Sequence, residues 1–353
     1  MKKRILEKFR RFCAAISRED RIAVVFHGDA DGLASGVIAA KTVQLLRGKK
    51  PEMIFSQGNS EVELTEDSIK KMRKGKINKI ILVDLAVDQN PATIRKAEKF
   101  AELLIIDHHK IYKNLNSERT IMIKAQHVSS REPSKYPAAK LTYDLFSNCG
   151  NLSDLEWVTA VGIIGDFGLK HWRKFIVCAG RRSKLSLKKM TELKELISAV
   201  EAVDGAKMNS LAQEFYKNIE TPKRILSSKF KKYKKNYDTE LKRLMKGFNA
   251  AEKYPEKQLV YYPFKSKYYI KSALVNKISQ KFPKKTIILV QDRGNTNLHI
   301  SARRQDFKVK VNELLENSLK GLNGTGGGHI PAAGGRVSRR DLGKFKEKLL
   351  ENC

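Results

Sequence analysis

Apolar residues in the first half of the chain alternate between short continuous runs and stretches with helical spacing. Continuous runs occupy residues 22–26, 80–83 and 103–106, and helical patterns cover residues 33–46 and 92–103. Strands that are apolar throughout are typical of a parallel sheet that helices cover on both faces. The pattern therefore predicts an α/β domain built on a parallel sheet.

A second α/β pattern follows near the end of the chain. Its strands and helices are predicted at residues 259–264, 272–282, 286–290, 298–302, 309–319 and 339–350, with a glycine-rich segment at residues 324–335. Between the two patterns, only helical periodicity is found. We therefore predict a first domain over residues 1–180, a basic helical linker or insertion over residues 181–257, and a smaller α/β domain over residues 258–353.

The predicted linker contains a strongly basic helix. Residues 223–246 hold ten Lys and Arg side chains and two acids. Its apolar side chains recur at helical spacing and are Leu226, Phe230, Tyr233, Tyr237, Leu241 and Leu244. Stacking on nucleic acid bases is one interpretation of this stripe, but aromatic residues at that period usually form a packing surface, which we favour.

The whole chain is strongly positive. Its 353 residues include 70 Lys and Arg against 38 Asp and Glu, a formal net charge of +32. Such a charge attracts polyanions and accelerates their capture. A lysine-rich composition, as in thermophiles, is the alternative, but glutamate usually rises with lysine there and does not do so here. The charge therefore favours a nucleic acid partner.

The sequence shows no membrane or secretion signal. No apolar run approaches the roughly 20 residues that a membrane span needs. Residues 1–20 are amphipathic and lack the apolar core and cleavage site of a signal peptide. The four cysteines are scattered without a C-x-x-C pair, which argues against a zinc ribbon and a disulfide scaffold. We expect a cytoplasmic protein without a membrane partner.

Acidic and histidine side chains follow the apolar segments of the first domain. The residues are His27, Asp29, Asp31, Asp84, Asp107, His108, His109 and Asp166. The first seven follow predicted strands, and Asp166 follows residues 155–165, which are compatible with a strand or a helix. Ligands bind at the carboxyl ends of strands in open α/β sheets, so these side chains should converge. The cluster would repel itself unless cations neutralise it.

The types of side chain in this cluster indicate which cations it would hold. Carboxylates mixed with imidazoles, without a thiolate, suit Mn²⁺ or Mg²⁺ rather than a structural zinc. In an extended segment His27, Asp29 and Asp31 point to one side, because alternate residues share a face. Gly32 then allows the tight turn into the next helix. The sequence therefore predicts two divalent cations at this edge of the sheet.

The order of these motifs resembles that of the DHH phosphoesterase family. That family carries H-x-D-x-D-G, an isolated Asp, D-H-H and a late Asp, and the chain has residues 27–32, Asp84, residues 107–109 and Asp166 in that order. The resemblance implies two bound cations, Mn²⁺ or alternatively Mg²⁺. It implies that the ligands of one are His27, Asp29 and Asp84, and that those of the other are Asp31, Asp84, His108 and Asp166.

The resemblance also implies roles for the two remaining side chains. His109 would face the scissile phosphate, and Asp107 would orient a neighbouring histidine. Two-metal hydrolysis of this kind uses water as the nucleophile and needs no Ser or Cys. The chain is therefore expected to be a metal-dependent phosphodiesterase.

A further motif near the end of the chain resembles the G-G-G-H signature of the DHHA1 domain, which accompanies many DHH enzymes. Its residues are Gly326, Gly327, Gly328 and His329. Ser301 and Arg303 resemble the Ser-x-Arg segment with which that domain binds substrate, and Arg303 would pair with a phosphate. Glycines permit a close approach of backbone N–H groups to a phosphate. Arg304 is interpreted as a solvated edge residue.

Within the resemblance, the charge favours a polymeric substrate. We expect an archaeal, RecJ-like exonuclease that degrades single-stranded DNA, or RNA, to nucleoside monophosphates in repair or replication, with a helicase as one conceivable protein partner. A nano-RNase or cyclic-dinucleotide phosphodiesterase is the first alternative. A non-catalytic partner of the replication machinery is the second. The sequence disfavours a pyrophosphatase, because the pyrophosphatases of this family have a wider H-x-x-x-D-x-D spacing and a different second domain.

Overall fold

The structure is a computed structural model that describes residues 2–57 and 64–353, except for the side chains of Lys2 and His329. Its contacts divide the chain into two units, Met1–Lys234 and Lys235–Cys353. Each unit has its own mixed α/β fold and its own sheet. The predicted fold class, a parallel-sheet domain followed by a smaller α/β domain, is confirmed.

The sheet of the first unit has the order β2-β1-β3-β4-β5, and every neighbouring pair is parallel. Its strands are β1 (Ile22–Phe26), β2 (Met53–Ser56), β3 (Lys79–Val83), β4 (Glu102–Asp107) and β5 (Thr120–Lys124). β1, β3 and β4 agree with the three predicted apolar runs to within one residue at each end. β2 and β5 were not predicted, and they form the two edges of the sheet.

Helices cover both faces of this sheet. The helices of the first unit are α1 (Lys2–Ala14), α2 (Ala30–Arg47), α3 (Glu66–Lys74), α4 (Pro91–Glu98), α5 (Ala125–Val128), α6 (Ala138–Phe146), α7 (Glu156–Gly165), α8 (Arg173–Arg182), α9 (Leu187–Asp204), α10 (Met208–Lys217) and α11 (Lys223–Leu226). Along β1, Val24 and Phe26 enter one core cluster, while Ala23 and Val25 enter the other. The strand is apolar at every position because neither of its faces meets water.

One predicted helix differs from the observed one. The helix predicted over residues 92–103 ends at Glu98, and β4 begins at Glu102, because apolar spacing does not separate the end of a helix from a buried strand that follows it. The segment before Asp166, whose sequence was compatible with a strand or a helix, is helix α7. α7 packs closely on its neighbours, since a Cβ on Gly162 would lie 2.5 Å from the Cβ of Ala139.

Helix α12 (Lys231–Gly247) contains the division between the two units. Within the segment predicted as a linker, α9, α10 and α11 belong to the first unit. On α12, the side chains of Tyr233, Tyr237, Leu241 and Leu244 are buried. The interpretation of the apolar stripe as a packing surface is therefore confirmed.

The second unit is built on a sheet with the order β10-β11-β9-β8-β7-β6, in which β7 and β8 are parallel and the other pairs are antiparallel. Its strands are β6 (Glu252–Tyr254), β7 (Leu259–Lys265), β8 (Thr286–Asp292), β9 (Asn297–Arg303), β10 (Gly324–His329) and β11 (Ala332–Ser338). Its further helices are α13 (Lys271–Lys281), α14 (Val311–Leu319) and α15 (Leu342–Glu351). Among the described residues, no helix is long and apolar enough to cross a membrane.

Candidate metal centre

The carboxyl ends of three neighbouring strands carry polar side chains to one edge of the first sheet. His27 follows β1, Asp84 follows β3, and Asp107 ends β4. Because the three strands are adjacent and parallel, their ends meet at the same edge. This is the edge at which open α/β sheets bind ligands.

The first motif is positioned by the start of α2. Asp29 caps this helix, and its Oδ1 accepts a hydrogen bond from the backbone N–H of Gly32 at 2.9 Å. Its Oδ2 lies 3.2 Å from Nδ1 of His27. A Cβ on residue 32 would lie 2.2 Å from the carbonyl oxygen of His27, so only glycine fits this turn. Burial acts to lower the pKa of His27, but the charge of Asp29 and its hydrogen bond with His27, together with the charges of Glu201 and Asp31, outweigh burial and raise the pKa to about 9.

Asp84 lies between the three histidines. Its Oδ1 is 3.5 Å from Nε2 of His108 and 4.0 Å from Nδ1 of His109, and its Oδ2 is 4.0 Å from Nδ1 of His27. The residue is only 2% exposed, and its backbone has a φ of 58°. A left-handed conformation of this kind costs a non-glycine residue about 1 kcal/mol or more. The backbone N–H of Asp84 donates to the carbonyl oxygen of Ile106 at 2.9 Å, which holds this conformation in place.

Asp31 and Asp166 form the other side of the centre. Asp31 lies in the first turn of α2, and its two carboxylate oxygens accept hydrogen bonds from the backbone N–H groups of Ala138 and Ala139 at 2.7 and 2.9 Å. Asp166 directly follows α7, and its Oδ2 lies 3.7 Å from Nδ1 of His108. His108 therefore lies between Asp84 and Asp166, with one ring nitrogen toward each.

The carboxylates of this centre repel one another. Burial and the charge of Asp29 raise the pKa of Asp31 to about 7. Burial and the charges of Asp31 and Asp29 raise the pKa of Asp166 to about 9. Burial and four neighbouring aspartates raise the pKa of Asp84 well above its ordinary value. Holding all of these groups ionised therefore requires positive charge that the side chains around them do not supply.

The ligand atoms of the centre are arranged in sets that fit divalent cations. Within each set they lie within 4.8 Å of one another, and the sets are His27 with Asp29 and Asp84, Asp31 with His108 and Asp166, and Asp84 with His108 and His109. Oδ1 of Asp84, Nδ1 of His108 and Oδ2 of Asp166 are buried without a hydrogen-bond partner. Buried polar atoms are rarely left unpaired. Carboxylate oxygens with imidazole nitrogens are a donor set that suits Mn²⁺ or Mg²⁺.

Asp107 differs from the other acids of the centre because it is paired with a buried lysine. Its Oδ1 lies 2.7 Å from Nδ1 of His109, and its Oδ2 accepts a hydrogen bond from Nζ of Lys124 at 2.5 Å. Burial acts to raise the pKa of Asp107, but the hydrogen bond with His109, together with the charges of His109, Lys124 and His108, outweighs burial and holds the pKa below its ordinary value. The same contact raises the pKa of His109 against the opposite effect of burial. Asp107 thus orients His109 and favours its protonated form.

The lysine that pairs with Asp107 was not predicted from the sequence. Lys124, the last residue of β5, is completely buried, and its Nζ also donates to Oδ1 of Asp88 at 2.9 Å. Oδ2 of Asp88 accepts from the backbone N–H of Tyr112 at 2.7 Å. Lys124 therefore joins two buried carboxylates, Asp88 and Asp107. A buried lysine flanked by two buried acids is a three-dimensional feature, and the one-dimensional spacing carries no signal for it.

Glu201 on α9 is a second residue that the sequence did not reveal. Burial and the charge of Asp29 raise its pKa to about 8, which places this acid beside the His27 and Asp29 end of the centre. It comes from a segment predicted as a linker, and its position in a helical pattern does not distinguish it from a surface glutamate.

The residues predicted to bind substrate lie in the second unit. Ser301 and Arg303 are on β9, and Oγ of Ser301 accepts a hydrogen bond from Nζ of Lys271 at 3.2 Å. The glycine-rich motif forms β10, and its members in the structure are Gly326, Gly327, Gly328 and the backbone of His329. The side chain of His329 lies outside the described part of the chain.

The three glycines of β10 have different surroundings. A Cβ on Gly326 would lie 2.7 Å from Leu319, so this residue packs against α14. Gly328 has a φ of 148°, which favours glycine. A Cβ on Gly327 would meet nothing closer than a carboxylate oxygen of Glu316 at 3.7 Å. Of the three glycines, only Gly327 therefore has room for a Cβ without a close contact.

The interpretation of Arg304 as a solvated edge residue is wrong. Arg304 is only 3% exposed. Its guanidinium donates to Asp306 at 2.7 Å, to Gln258 at 2.7 Å and to Thr286 at 3.2 Å. It is a structural residue, and two of its three partners, Gln258 and Thr286, are distant in the sequence.

The fold and the site define a two-unit α/β protein with a histidine- and aspartate-rich centre that fits divalent cations. Residues 21–161 match the N-terminal domain of the DHH family, and residues 259–353 match the DHHA1 domain. The chain therefore belongs to the DHH family with a DHHA1 domain, which confirms the resemblance found in the sequence. The DHH family includes metal-dependent phosphoesterases and nucleases. No curated protein matches the chain.

Several solved structures share this fold over nearly the whole chain. The DHH domain of a member of a ribosomal protein family is 13% identical with a TM-score of 0.74, covering 99% of this chain and 90% of that one. RecJ from Thermus thermophilus in complex with Mn²⁺ is 16% identical with a TM-score of 0.72, covering 98% of this chain and 54% of that one. CDC45 from Entamoeba histolytica is 9% identical with a TM-score of 0.55, covering 98% of each. At these identities, the likeness establishes the fold.

The repulsion within the centre predicts how the stability of the metal-free protein depends on pH. The folded state holds protons more tightly than the unfolded state at Asp31, Glu201, Asp166 and His27, whose pKa values are raised to about 7, 8, 9 and 9. A raised pKa contributes stability that is complete below the unfolded pKa and is lost as the pH rises through the folded one. We therefore expect the melting temperature in EDTA to fall between pH 6.5 and 8.5, by about 2 to 4 °C per kcal/mol lost.

Differential scanning fluorimetry with EDTA or with saturating Mg²⁺ measures this effect. A cation that binds only the folded protein raises the melting temperature. The cation also competes with the protons that the centre holds at low pH. The rise in melting temperature on adding Mg²⁺ should therefore be larger at pH 8.5 than at pH 6.5. A rise that is the same at both pH values, or no rise at all, would contradict the assignment of the centre to divalent cations.

Proposed function

We propose that the protein is a two-metal phosphodiesterase and, more narrowly, an exonuclease that degrades single-stranded nucleic acid to nucleoside monophosphates. The observation that carries this proposal is the convergence of four carboxylates and three imidazoles at one sheet edge, with buried ligand atoms that lack hydrogen-bond partners. Membership of the DHH family supports the phosphodiesterase activity.

The proposed ligands follow the sets that the structure brings together. One cation would be held by His27, Asp29 and Asp84, which form one set, and the other by Asp31, Asp84, His108 and Asp166, of which three form a second set. Asp84 would be shared, because its two oxygens point toward different histidines. The ions would be Mn²⁺, or alternatively Mg²⁺, and both suit this donor set.

Two divalent cations supply charge stabilisation to an in-line displacement at phosphorus and increase the acidity of a bound water. The chain itself supplies a donor for the phosphate. Nδ1 of His109 is engaged by Asp107, and the side chain is 44% exposed, so Nε2 remains accessible. A protonated His109 would donate a hydrogen bond to a non-bridging phosphate oxygen through Nε2, and Asp107 would hold the ring in that orientation.

The substrate is proposed from the charge and from the second unit. A net charge of +32 favours a polyanion over a small substrate. Ser301, Arg303 and the glycine-rich motif of residues 326–329 would bind the terminal nucleotide, with His329 as a further donor. The single-stranded substrate would be DNA or RNA. The proposal includes a function in DNA repair or replication and a protein partner such as a helicase. It also includes a cytoplasmic location in an archaeal cell.

Hydrolysis of a matched set of substrates tests the proposal. Purified protein with Mn²⁺ is incubated with end-labelled single-stranded DNA, single-stranded RNA, a dinucleotide and a cyclic dinucleotide, and the products are resolved by size. We expect mononucleotides from the long strands, and the label released first identifies the polarity. Cleavage of the short substrates alone would instead assign the protein to the nano-RNase or cyclic-dinucleotide phosphodiesterase class.

A non-catalytic role is the remaining alternative, since the CDC45 fold also covers this chain. Tight strand binding without cleavage of any substrate would support it. The complete set of metal-ligand side chains argues against it, because a binding protein has no need for a cluster of buried, mutually repelling acids.

A further inference from the structure

One face of the second sheet carries basic side chains. Along β9, Leu298, Ile300 and Ala302 are buried in the core with α14 and α15. The alternate residues His299, Ser301 and Arg303 therefore lie on the opposite face. The antiparallel register places Arg336 of β11 directly opposite His299. On this face, further cationic side chains lie beside the predicted Ser301 and Arg303 site.

These cations lie close together without acidic partners. We call Lys271, Arg293, His299, Arg303 and Arg336 the basic track. Among the described residues, no carboxylate lies within ion-pair distance of any member. Burial and the charges of Lys271, Arg293 and Arg336 lower the pKa of His299, so three cations surround it. Burial and the charge of Arg303 likewise lower the pKa of Lys271. Cations that crowd one another in this way are relieved by a bound anion.

Arg293 is fixed in position, although its charge is not neutralised. Its guanidinium carbon lies 3.3 Å from the centroid of the Tyr269 ring, and its Nε is buried without a hydrogen-bond partner. Stacking on an aromatic ring orients an arginine without using its N–H donors. Nε is shielded from solvent, but the two terminal nitrogens donate to none of the described residues and remain available to a ligand.

Beside Arg293, the track reaches a groove of about 770 Å³. The groove lies at the carboxyl ends of the parallel strands β7 and β8. Basic side chains that line it are Lys235, Arg243, Lys265, Lys267 and Arg293. Its two acids are already neutralised, because Glu240 is bound by Arg243 and Asp292 by Arg339. The groove therefore keeps an excess of positive charge.

We infer that the basic track and the groove bind the successive phosphates of a single nucleic acid strand beyond its terminal nucleotide. This inference rests on the proposed function and identifies its substrate class as a polymer. Alternate residues of a strand are about 7 Å apart, which is comparable to the separation of successive phosphates in an extended single strand. From Arg303 to His299 the path already spans about 13 Å, and Arg293 and the groove lengthen it further. A dinucleotide, with one internucleotide phosphate, cannot occupy the whole path.

The double variant Arg293→Gln/Arg336→Gln tests the inference, because neither residue belongs to the predicted Ser301 and Arg303 site. Its affinity for a strand of about 16 nucleotides is measured by fluorescence anisotropy in EDTA, where the strand is not cut. We expect a loss of about tenfold or more for each arginine. The slope of log affinity against log salt should also become shallower by about 1.4, or about 0.7 for each lost phosphate contact.

The matched control is Arg340→Gln/Lys344→Gln. It also removes two positive charges, but at exposed positions outside the track. If both double variants lose strand affinity equally, the effect is one of net charge and the inference is overturned. It is also overturned if the track variant binds the strand as the wild type does. Failure of the wild type to hydrolyse any substrate would overturn the proposed function, while the binding measurement in EDTA would still decide the inference.

Discussion

Replacing Asp84 with asparagine is expected to lower phosphodiester hydrolysis by about a thousandfold or more while leaving the protein folded. Asp84 lies between the three histidines and is proposed to be shared by both cations. Metal ions contribute several kcal/mol to transition states of this kind, and each 1.36 kcal/mol corresponds to about tenfold in rate. Asparagine is preferred to alanine here because it tolerates the φ of 58° about as well as aspartate does.

The stability of the same variant separates loss of metal from loss of fold. In EDTA, Asp84→Asn should be at least as stable as the wild type, because it removes a buried carboxylate that its neighbours repel. In Mg²⁺ or Mn²⁺, it should lose most of the stabilisation that the wild type gains. Asp154→Asn, at an exposed position of the same unit, is the control and should keep full activity. Wild-type activity of Asp84→Asn would rule out the proposed centre.

Replacing Lys124 with methionine is expected to destabilise the first unit by about 3 to 5 kcal/mol. The substitution keeps much of the side-chain volume but removes the ammonium group that joins Asp88 to Asp107. Both carboxylates would then be buried without their cation. The two tryptophans, Trp157 and Trp172, lie in the first unit, so urea unfolding followed by their fluorescence reports on this unit.

Lys79→Met is the matched control on the same sheet. Lys79 pairs with Glu102, whose side chain is 48% exposed, so the loss should be about 1 kcal/mol or less. Adding Asp88→Asn to Lys124→Met should recover part of the stability, since one of the two unpaired charges is then removed. Equal losses for Lys79→Met and Lys124→Met would show that the buried network has no special role in stability.

The part of the centre that follows the strands could be predicted because its geometry depends on topology alone. His27, Asp84 and Asp107 each follow a continuous apolar run, and parallel strands bring such ends to one edge. A single aspartate such as Asp84 does not by itself indicate a metal ligand. Its position between the motifs of residues 27–32 and 107–109 made it a candidate. The fold class could be predicted for the same reason, since strands buried on both faces are apolar at every position.

The residues that were missed depend on contacts between distant segments. Lys124 ends a short edge strand, and only the fold shows that it is buried between Asp88 and Asp107. Glu201 belongs to a helix whose sequence gives no reason to place it beside Asp29. Arg304 was misjudged because an arginine next to a strand end is usually solvated, whereas here three partners bury it. Charged residues that neutralise one another inside a core leave no periodic signal.

The two-metal centre is tested most directly by locating Mn²⁺ in the protein. Crystals grown with Mn²⁺ give an anomalous difference map, and equilibrium dialysis gives the number of ions bound per chain. We predict two ions, one among His27, Asp29 and Asp84 and the other among Asp31, His108 and Asp166, with Asp84 contacting both. Anomalous density elsewhere, or no ion at this edge of the sheet in a protein that still cleaves phosphodiesters, would contradict the account.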